Sequence, residues 1–378
     1  MQSIYLDHAA TTPLHPEVIA EMNQLMTGNF GNPSSVHHFG RKAQEKLTAA
    51  RKVVADSLQA KTHEIIFNSG GTEGANTAIL GVAQSRKQEG KHIITTAIEH
   101  HAVLNTMNFL ETQGFEVTYL PVNQQGQLEL ANFEAALRAD TILVSIMFVN
   151  NETGNYLPIK EIGARLKEHS AYFHTDAVQA YGLQEIVPQE LGIDLLSASA
   201  HKINGPKGVG FLYKADYVQL PTLFHGGQQE EKRRPGTENL IGIAGLGQAV
   251  TILTKAEKAD RAANHLQFQT AILQALDEAQ VAYQVNGDLT TKSSHILNLR
   301  FNGQRNDLLL MKLDLQGIAV STGSACTAGA VEPSHVITAM YPNDAAAAKE
   351  SVRISFGYEN TAAEIDSFIA SLLQILQK

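Results

Sequence analysis

The chain has only one cysteine, Cys326, among its 378 residues. That excludes an intrachain disulfide and a multi-cysteine metal site, and it fits a reducing compartment. Charged residues are only 18% against 43% hydrophobic, and proline is scarce, 11 against 29 glycines. Neither disorder nor a fibrous repeat has that balance. The net charge is −9 with no basic tract, which argues against direct nucleic-acid or anionic-membrane binding as the main activity. No apolar run approaches the roughly 18 residues of a membrane span, and the first residues lack a basic segment followed by an apolar one. A soluble cytoplasmic protein is therefore expected. The best-known phosphate motifs are missing as well. There is no GxxxxGK[ST], and Gly242, Gly245 and Gly247 have the wrong spacing for a dinucleotide fingerprint, so they read as sites of close helix packing. No zincin or paired-cysteine spacing points to zinc.

What is present is an alternation of short apolar runs with amphipathic stretches from about Glu64 to Tyr213. It predicts an α/β fold in which a mostly parallel sheet is flanked by helices. The seven candidate strands are 64–67, 92–95, 117–120, 142–148, 172–174, 195–197 and 208–213. In the last third, candidate strands at 283–285, 295–301, 318–321 and 352–356 mix with helices at 262–280, 306–315 and 362–376, predicting a smaller α+β domain. An amphipathic stretch from Ile241 to Gln280 is expected to join the two, and the alanines 345–348 read as helix.

Chemistry concentrates in a few segments. Lys202, in Ser-Ala-Ser-Ala-His-Lys-Ile-Asn-Gly-Pro at 197–206, follows small residues and precedes a Gly-Pro turn, unlike a solvated surface lysine. At a strand end facing a cavity, desolvation would lower its pKa and free the amine for a Schiff base. Asn-Ser-Gly-Gly-Thr-Glu at 68–73 follows an apolar strand and leads into a helix-like run. It reads either as a phosphate cradle with the Thr72 hydroxyl as donor, or as a turn capped by Ser69 or Thr72. Asp176 falls just past a buried strand, about one strand–helix–strand unit before Lys202. It would need a cation such as a pyridinium nitrogen, unless it only caps a helix. His100 lies where an imidazole could stack on an aromatic cofactor and move protons, or simply pack. Cys326 sits in a run of small residues, 321–329, that reads as an accessible loop, with a tolerated free thiol as the alternative.

Together these segments resemble the cysteine desulfurases of the IscS/NifS type, in the class V aminotransferase group of pyridoxal-phosphate enzymes. The resemblance rests on Tyr-Leu-Asp-His-Ala-Ala-Thr-Thr-Pro at 5–13, Gly-Asn-Pro-Ser-Ser at 31–35, Ser-Gly-Gly-Thr-Glu at 69–73 and Glu-His-His at 99–101. It continues through Asn-Asn-Glu-Thr-Gly at 150–154, His-Thr-Asp-Ala-Val-Gln at 174–179, Ser-Ala-His-Lys at 199–202, Arg-Pro-Gly-Thr-Glu-Asn at 234–239 and the Cys326 segment.

The resemblance implies fold type I of the pyridoxal-phosphate transferases, with a large cofactor-binding domain at 14–250 and a small domain made of 1–13 and 251–378. It further implies that Lys202 tethers pyridoxal 5'-phosphate, Asp176 pairs with the pyridine nitrogen, and Gln179 and Asn151 contact the side bearing the phenolic oxygen. His100 would stack on the ring. Gly71, Thr72, Ser199 and His201 would bind the phosphate, with Thr237 supplied by the second subunit of a homodimer. Arg353 would receive the substrate carboxylate, a task suited to a guanidinium fork. The implied reaction turns L-cysteine into L-alanine and leaves the sulfur on Cys326 as a persulfide. An acceptor protein, either an iron–sulfur scaffold or a tRNA-thiolating enzyme, then takes it. Two rival readings keep the fold: an aminotransferase or selenocysteine lyase in which Cys326 is incidental, and a non-catalytic scaffold for sulfur transfer.

Overall fold

The computed structural model describes residues 3–323 and 333–377. Its twelve strands are β1 (Ile4–Tyr5), β2 (Ile65–Asn68), β3 (His92–Thr96), β4 (Glu116–Leu120), β5 (Thr141–Ser145), β6 (Tyr172–Asp176), β7 (Leu195–Ser199), β8 (Gly210–Lys214), β9 (Gln284–Val285), β10 (Ile296–Arg300), β11 (Ile318–Ala319) and β12 (Ser351–Ser355). Seven of them form one sheet in the order β2-β8-β7-β6-β5-β3-β4. The five strands from β4 to β7 run parallel, and β8 pairs antiparallel with both β7 and β2. Strands β3, β5 and β7 are buried at every position, as a parallel sheet covered on both faces requires. At the edge, β4 is half-exposed. The seven expected strands of the sheet are thus all present, each shifted by a few residues at most.

Two clusters of buried apolar side chains lie apart. The larger surrounds the seven-stranded sheet and takes in residues such as Ile79, Phe173 and Phe211, together with Val336, Ile337 and Met340 from late in the chain. The smaller packs Leu297, Leu299 and Ile354 of the β12-β10-β9 sheet against Phe268 and Ile272 of helix Lys255–Glu278 and Phe368 of helix Ala362–Leu376. The N-terminal Ile4 and Leu6 belong to this smaller cluster, where β1 pairs with β11.

Two local expectations need correction. The 241–280 stretch is two helices, Leu240–Ile252 and Lys255–Glu278, the second capped by Thr254, whose hydroxyl accepts from the Glu257 amide at 3.2 Å. The first is not amphipathic. It is buried nearly all round because it lies against the helices Pro16–Gly28 and His38–Ser57. Its glycines permit that approach: a Cβ on Gly245 would lie 3.0 Å from Met22 Sδ, and one on Gly247 would lie 3.1 Å from the Ala50 backbone. The alanine run forms only the short helix Ala347–Glu350, so Ala345 and Ala346 precede it. Among the described residues no helix is long and apolar enough to cross a membrane.

Candidate active site

The parallel strands β6 and β7 deliver their C-terminal ends to one side of the sheet, where open α/β sheets hold their ligands. Strand β7 passes into a short 3-10 turn, Ala200–Lys202, which sets the Lys202 side chain in a cavity of about 560 Å³. Its amine donates to the carbonyls of Ala9 and Ala10, the latter at 2.7 Å. Burial, and then the nearby Arg353 charge, lower its pKa to about 7, against the opposing pull of Asp7 and Asp176. A solvated loop lysine does not have this environment.

Asp176 ends β6 and faces the same cavity. Among the described residues its Oδ1 accepts only the Val178 amide, at 2.9 Å, so it closes a local turn and caps no helix. Burial raises its pKa, while His100 and Lys202 pull it back. His100 lines the cavity at the start of helix His101–Thr112, its Nδ1 accepting from the Ala102 amide at 3.1 Å. Desolvation favours its neutral form. Asn151 presents a buried Oδ1 with no hydrogen-bond partner among the described residues. The Gln179 amide donates to Ala9 O at 2.9 Å, and its oxygen lies 3.1 Å from His295 Nε2.

Beside Lys202 a recess is lined by Gly71, Thr72, Ser199, His201 and Lys207. Helix Gly71–Arg86 opens there on Gly70 at φ +141°, and among the described residues no side chain caps it, neither Ser69 nor Thr72 satisfying its first amides. A Cβ at Gly71 would lie 2.6 Å from Val178 Cγ2, so a larger residue there would force the turn or Val178 to move. An anion suits such uncapped amides, and the positive end of the helix favours it. These observations fit pyridoxal 5'-phosphate: a buried carboxylate without an ion-pair partner among the described residues, an unpartnered amide oxygen, a depressed lysine, and an anion recess one step away.

Arg353, on β12, completes the opposite wall and is only 3% exposed. Its Nη1 donates to Asn151 O and its Nη2 to Asp7 Oδ1, both at 2.8 Å. Thr237 is exposed and does not line this cavity. Cys326 lies outside the described residues. The cavity also holds Asp7, His101, Glu152 and His335, which the sequence reading did not single out. Glu152 accepts from the Ser334 hydroxyl and is pushed up to about 7 by burial. Its place in the Asn-Asn-Glu-Thr-Gly run, a charge among small polar residues, was the available signal.

The family model described as Aminotransferase class-V matches residues 4–368. "Putative cysteine desulfurase IscS 1" of Bacillus subtilis (strain 168) is 50% identical over 378 residues, all of both chains. "Cysteine desulfurase IscS" of Methanosarcina thermophila is 46% identical, covering 100% of this chain and 93% of the relative. Among solved structures, one titled "NIFS-LIKE PROTEIN" superposes with a TM-score of 0.93 at 34% identity over the whole of both chains. Another, titled "SspA in complex with cysteine", gives 0.83 at 37% identity, covering 94% of this chain and 99% of that one. With a family model spanning nearly its whole length and such relatives aligned end to end, the chain belongs to the class-V aminotransferase family, in its cysteine desulfurase group.

Proposed function

We propose that this protein is a cysteine desulfurase that converts L-cysteine to L-alanine and hands the sulfur to Cys326. The observation that carries the reading is the sharing of one 560 Å³ cavity by the Lys202 amine, the Asp176 carboxylate and the Arg353 guanidinium. That set suits a cofactor aldehyde, a ring nitrogen and an amino-acid carboxylate.

The cofactor is pyridoxal 5'-phosphate, whose ring, when bound, serves as an electron sink for the carbon bearing the substrate amine. Lys202 would tether it, Asp176 would stand by its ring nitrogen, and His100 would cover its face. Gly71, Thr72, Ser199 and His201 would hold its phosphate, and Asn151 and Gln179 would face its phenolic oxygen. Arg353 would bind the substrate carboxylate through paired N–H groups. With its pKa near 7, the Lys202 amine is available as a base for the substrate's α-proton. The neutral His100 imidazole is placed to carry a proton within the cavity. The Cys326 thiolate would form a sulfur–sulfur bond as the substrate's carbon–sulfur bond breaks, the electron pair staying with carbon, which a proton then converts to alanine.

A homodimer follows the same reading: Thr237 is exposed and apart from its own chain's cavity, in keeping with service to a second subunit. The small-domain part of the division into 14–250 and 1–13 with 251–378 draws support from the smaller apolar cluster, which joins Ile4 and Leu6 to residues between Phe268 and Ile375, whereas Val336, Ile337 and Met340 pack with the larger one. The persulfide would pass to an acceptor protein of iron–sulfur assembly or tRNA thiolation, in the cytoplasm.

The test is mass spectrometry of the cofactor-loaded protein after L-cysteine is added, with alanine measured alongside. One extra sulfur on Cys326, and loss of desulfuration in Cys326→Ser, are expected. Undiminished alanine and sulfide from Cys326→Ser would overturn the persulfide step. Protein that stays colourless with added pyridoxal 5'-phosphate would overturn the enzyme reading altogether.

A further inference from the structure

One short stretch of chain touches both Arg353 and Lys202 in the cavity. Asp7 Oδ1 accepts from Arg353 Nη2 at 2.8 Å, and two and three residues later the carbonyls of Ala9 and Ala10 accept from Lys202. Ala9 O also accepts from Gln179, at 2.9 Å. The stretch is firmly held. The Tyr5 hydroxyl lies 3.0 Å from both Asp7 O and Thr11 O, closing the segment into a loop. On the side of β12, Ser355 N donates to Leu6 O at 2.8 Å, and the Ser355 hydroxyl accepts from Ala9 N at 2.9 Å.

A guanidinium has five N–H donors in a rigid plane. In Arg353, Asn151 O takes one on Nη1 and Asp7 takes one on Nη2, which fixes the plane and, among the described residues, leaves one N–H on each terminal nitrogen. Nε is buried with no partner among the described residues. Asp7 also keeps this buried cation paired when no substrate carboxylate is bound, and an unpaired buried charge is costly.

We propose that Asp7 is a positioning residue for substrate recognition: it orients the Arg353 fork and ties it, through Asp7–Ala10, to Lys202, the point where the cofactor that takes the substrate amine would be tethered. The α-amine and carboxylate of an amino acid hang on one carbon, so the spacing between the Lys202 attachment point and the Arg353 fork decides whether the amine can reach the cofactor while the carboxylate is held. The inference rests on the reading of Arg353 as receiver of the carboxylate.

The variants Asp7→Asn, Arg353→Lys and the double variant, each cofactor-loaded, separate the two ideas. In Asp7→Asn the KM for L-cysteine is expected to rise about 10-fold with kcat within about 3-fold, as the loss of an orienting hydrogen bond to a charged group would give. Binding to the cofactor-free protein supplies a readout other than turnover. The affinity for 3-mercaptopropionate, which keeps the carboxylate and lacks the amine, should fall by a similar factor, while that for cysteamine, which lacks the carboxylate, stays unchanged. The double variant should be no worse than Arg353→Lys, because Asp7 acts through Arg353.

A KM unchanged in Arg353→Lys sinks the reading of Arg353 itself. A raised KM in Arg353→Lys with an unchanged or lowered KM in Asp7→Asn sinks only the role of Asp7, a lowered value meaning that Asp7 competes with substrate. Equal loss of 3-mercaptopropionate and cysteamine would also sink it, by showing general damage. Should Asp7→Asn not fold, Tyr5→Phe keeps the carboxylate but removes the tie to Asp7 O and Thr11 O. It should give the same selective loss of carboxylate binding, and an unchanged affinity there counts against the proposal.

Discussion

Arg51 grips Glu230 at two points, Nη1 to Oε2 at 2.8 Å and Nη2 to Oε1 at 2.5 Å, and the same carboxylate accepts the Phe67 amide at 3.1 Å. Glu230 begins three successive non-glycine residues in the left-handed region, with φ of 47°, 56° and 66° at Glu230, Glu231 and Lys232. Such backbone costs about 1–3 kcal/mol per residue and persists only where its surroundings hold it. The ion pair ties this turn to helix His38–Ser57 and the Phe67 amide ties it to strand β2, just ahead of the 234–239 segment that carries Thr237.

Breaking that grip should be expensive. Glu230→Gln leaves Arg51 facing an uncharged partner and is expected to destabilise the fold by about 3 kcal/mol. The exposed neighbour change Glu231→Gln should cost less than about 0.5 kcal/mol. Urea denaturation of the two variants beside the parent checks the pair, and equal midpoints would show that the turn holds itself.

Lys202 should react as an amine at far lower pH than an ordinary lysine. Its ammonium is destabilised by burial and by Arg353, so the neutral form predominates above about pH 7; a free lysine reaches that point near pH ~10.4. In cofactor-free protein the rate of pyridoxal 5'-phosphate attachment, followed by absorbance, is expected to have its midpoint near neutrality. Asp176→Asn removes a charge that favours the ammonium and should move the midpoint lower. A midpoint above about pH 9 would mean that the amine is solvated.

Much of this architecture was legible in the sequence because the sheet strands are buried on both faces. Runs such as Ile142–Val144 and Leu195–Leu196 announce themselves without any partner being known. Lys202, Asp176 and the Gly70–Gly71 turn were legible for a related reason: each breaks the pattern expected of its surroundings. Asp7 was not, since its meaning lies in a contact with Arg353, 346 residues away. Helix Leu240–Ile252 was read as part of one amphipathic stretch, whereas it is apolar nearly all round and ends before the separate helix Lys255–Glu278 begins.

Gly71 offers a direct probe of the anion recess. In Gly71→Ala the new methyl would lie 2.6 Å from Val178 Cγ2, so either the turn or Val178 must move. Overpacking of this kind costs about 1–3 kcal/mol. Cofactor affinity should fall about 10-fold or more, and inorganic phosphate should compete less well for the cofactor-free protein. Gly28→Ala, which meets nothing within 4 Å, is the matched control and should leave both measurements unchanged.

Glu99 should give the fold a stability that declines as the pH rises from acid towards about 8. Its Oε1 accepts from the Thr96 hydroxyl at 2.8 Å and the Met147 amide at 2.9 Å, while Oε2 is buried with no partner among the described residues. Burial pushes its carboxyl up to about 8, whereas in the unfolded chain it titrates near ~4.3. Between those two values the native state holds one more proton than the unfolded state, so rising pH favours unfolding by up to about 1.4 kcal/mol per pH unit for this group. Glu99→Gln cannot lose that proton. Whatever the substitution costs at pH 5, its deficit relative to the parent should shrink steadily by pH 8 and reverse if the initial cost is small. Urea midpoints for both proteins at these two pH values measure it, and a deficit that does not change with pH would show that Glu99 is ionised in the native state throughout.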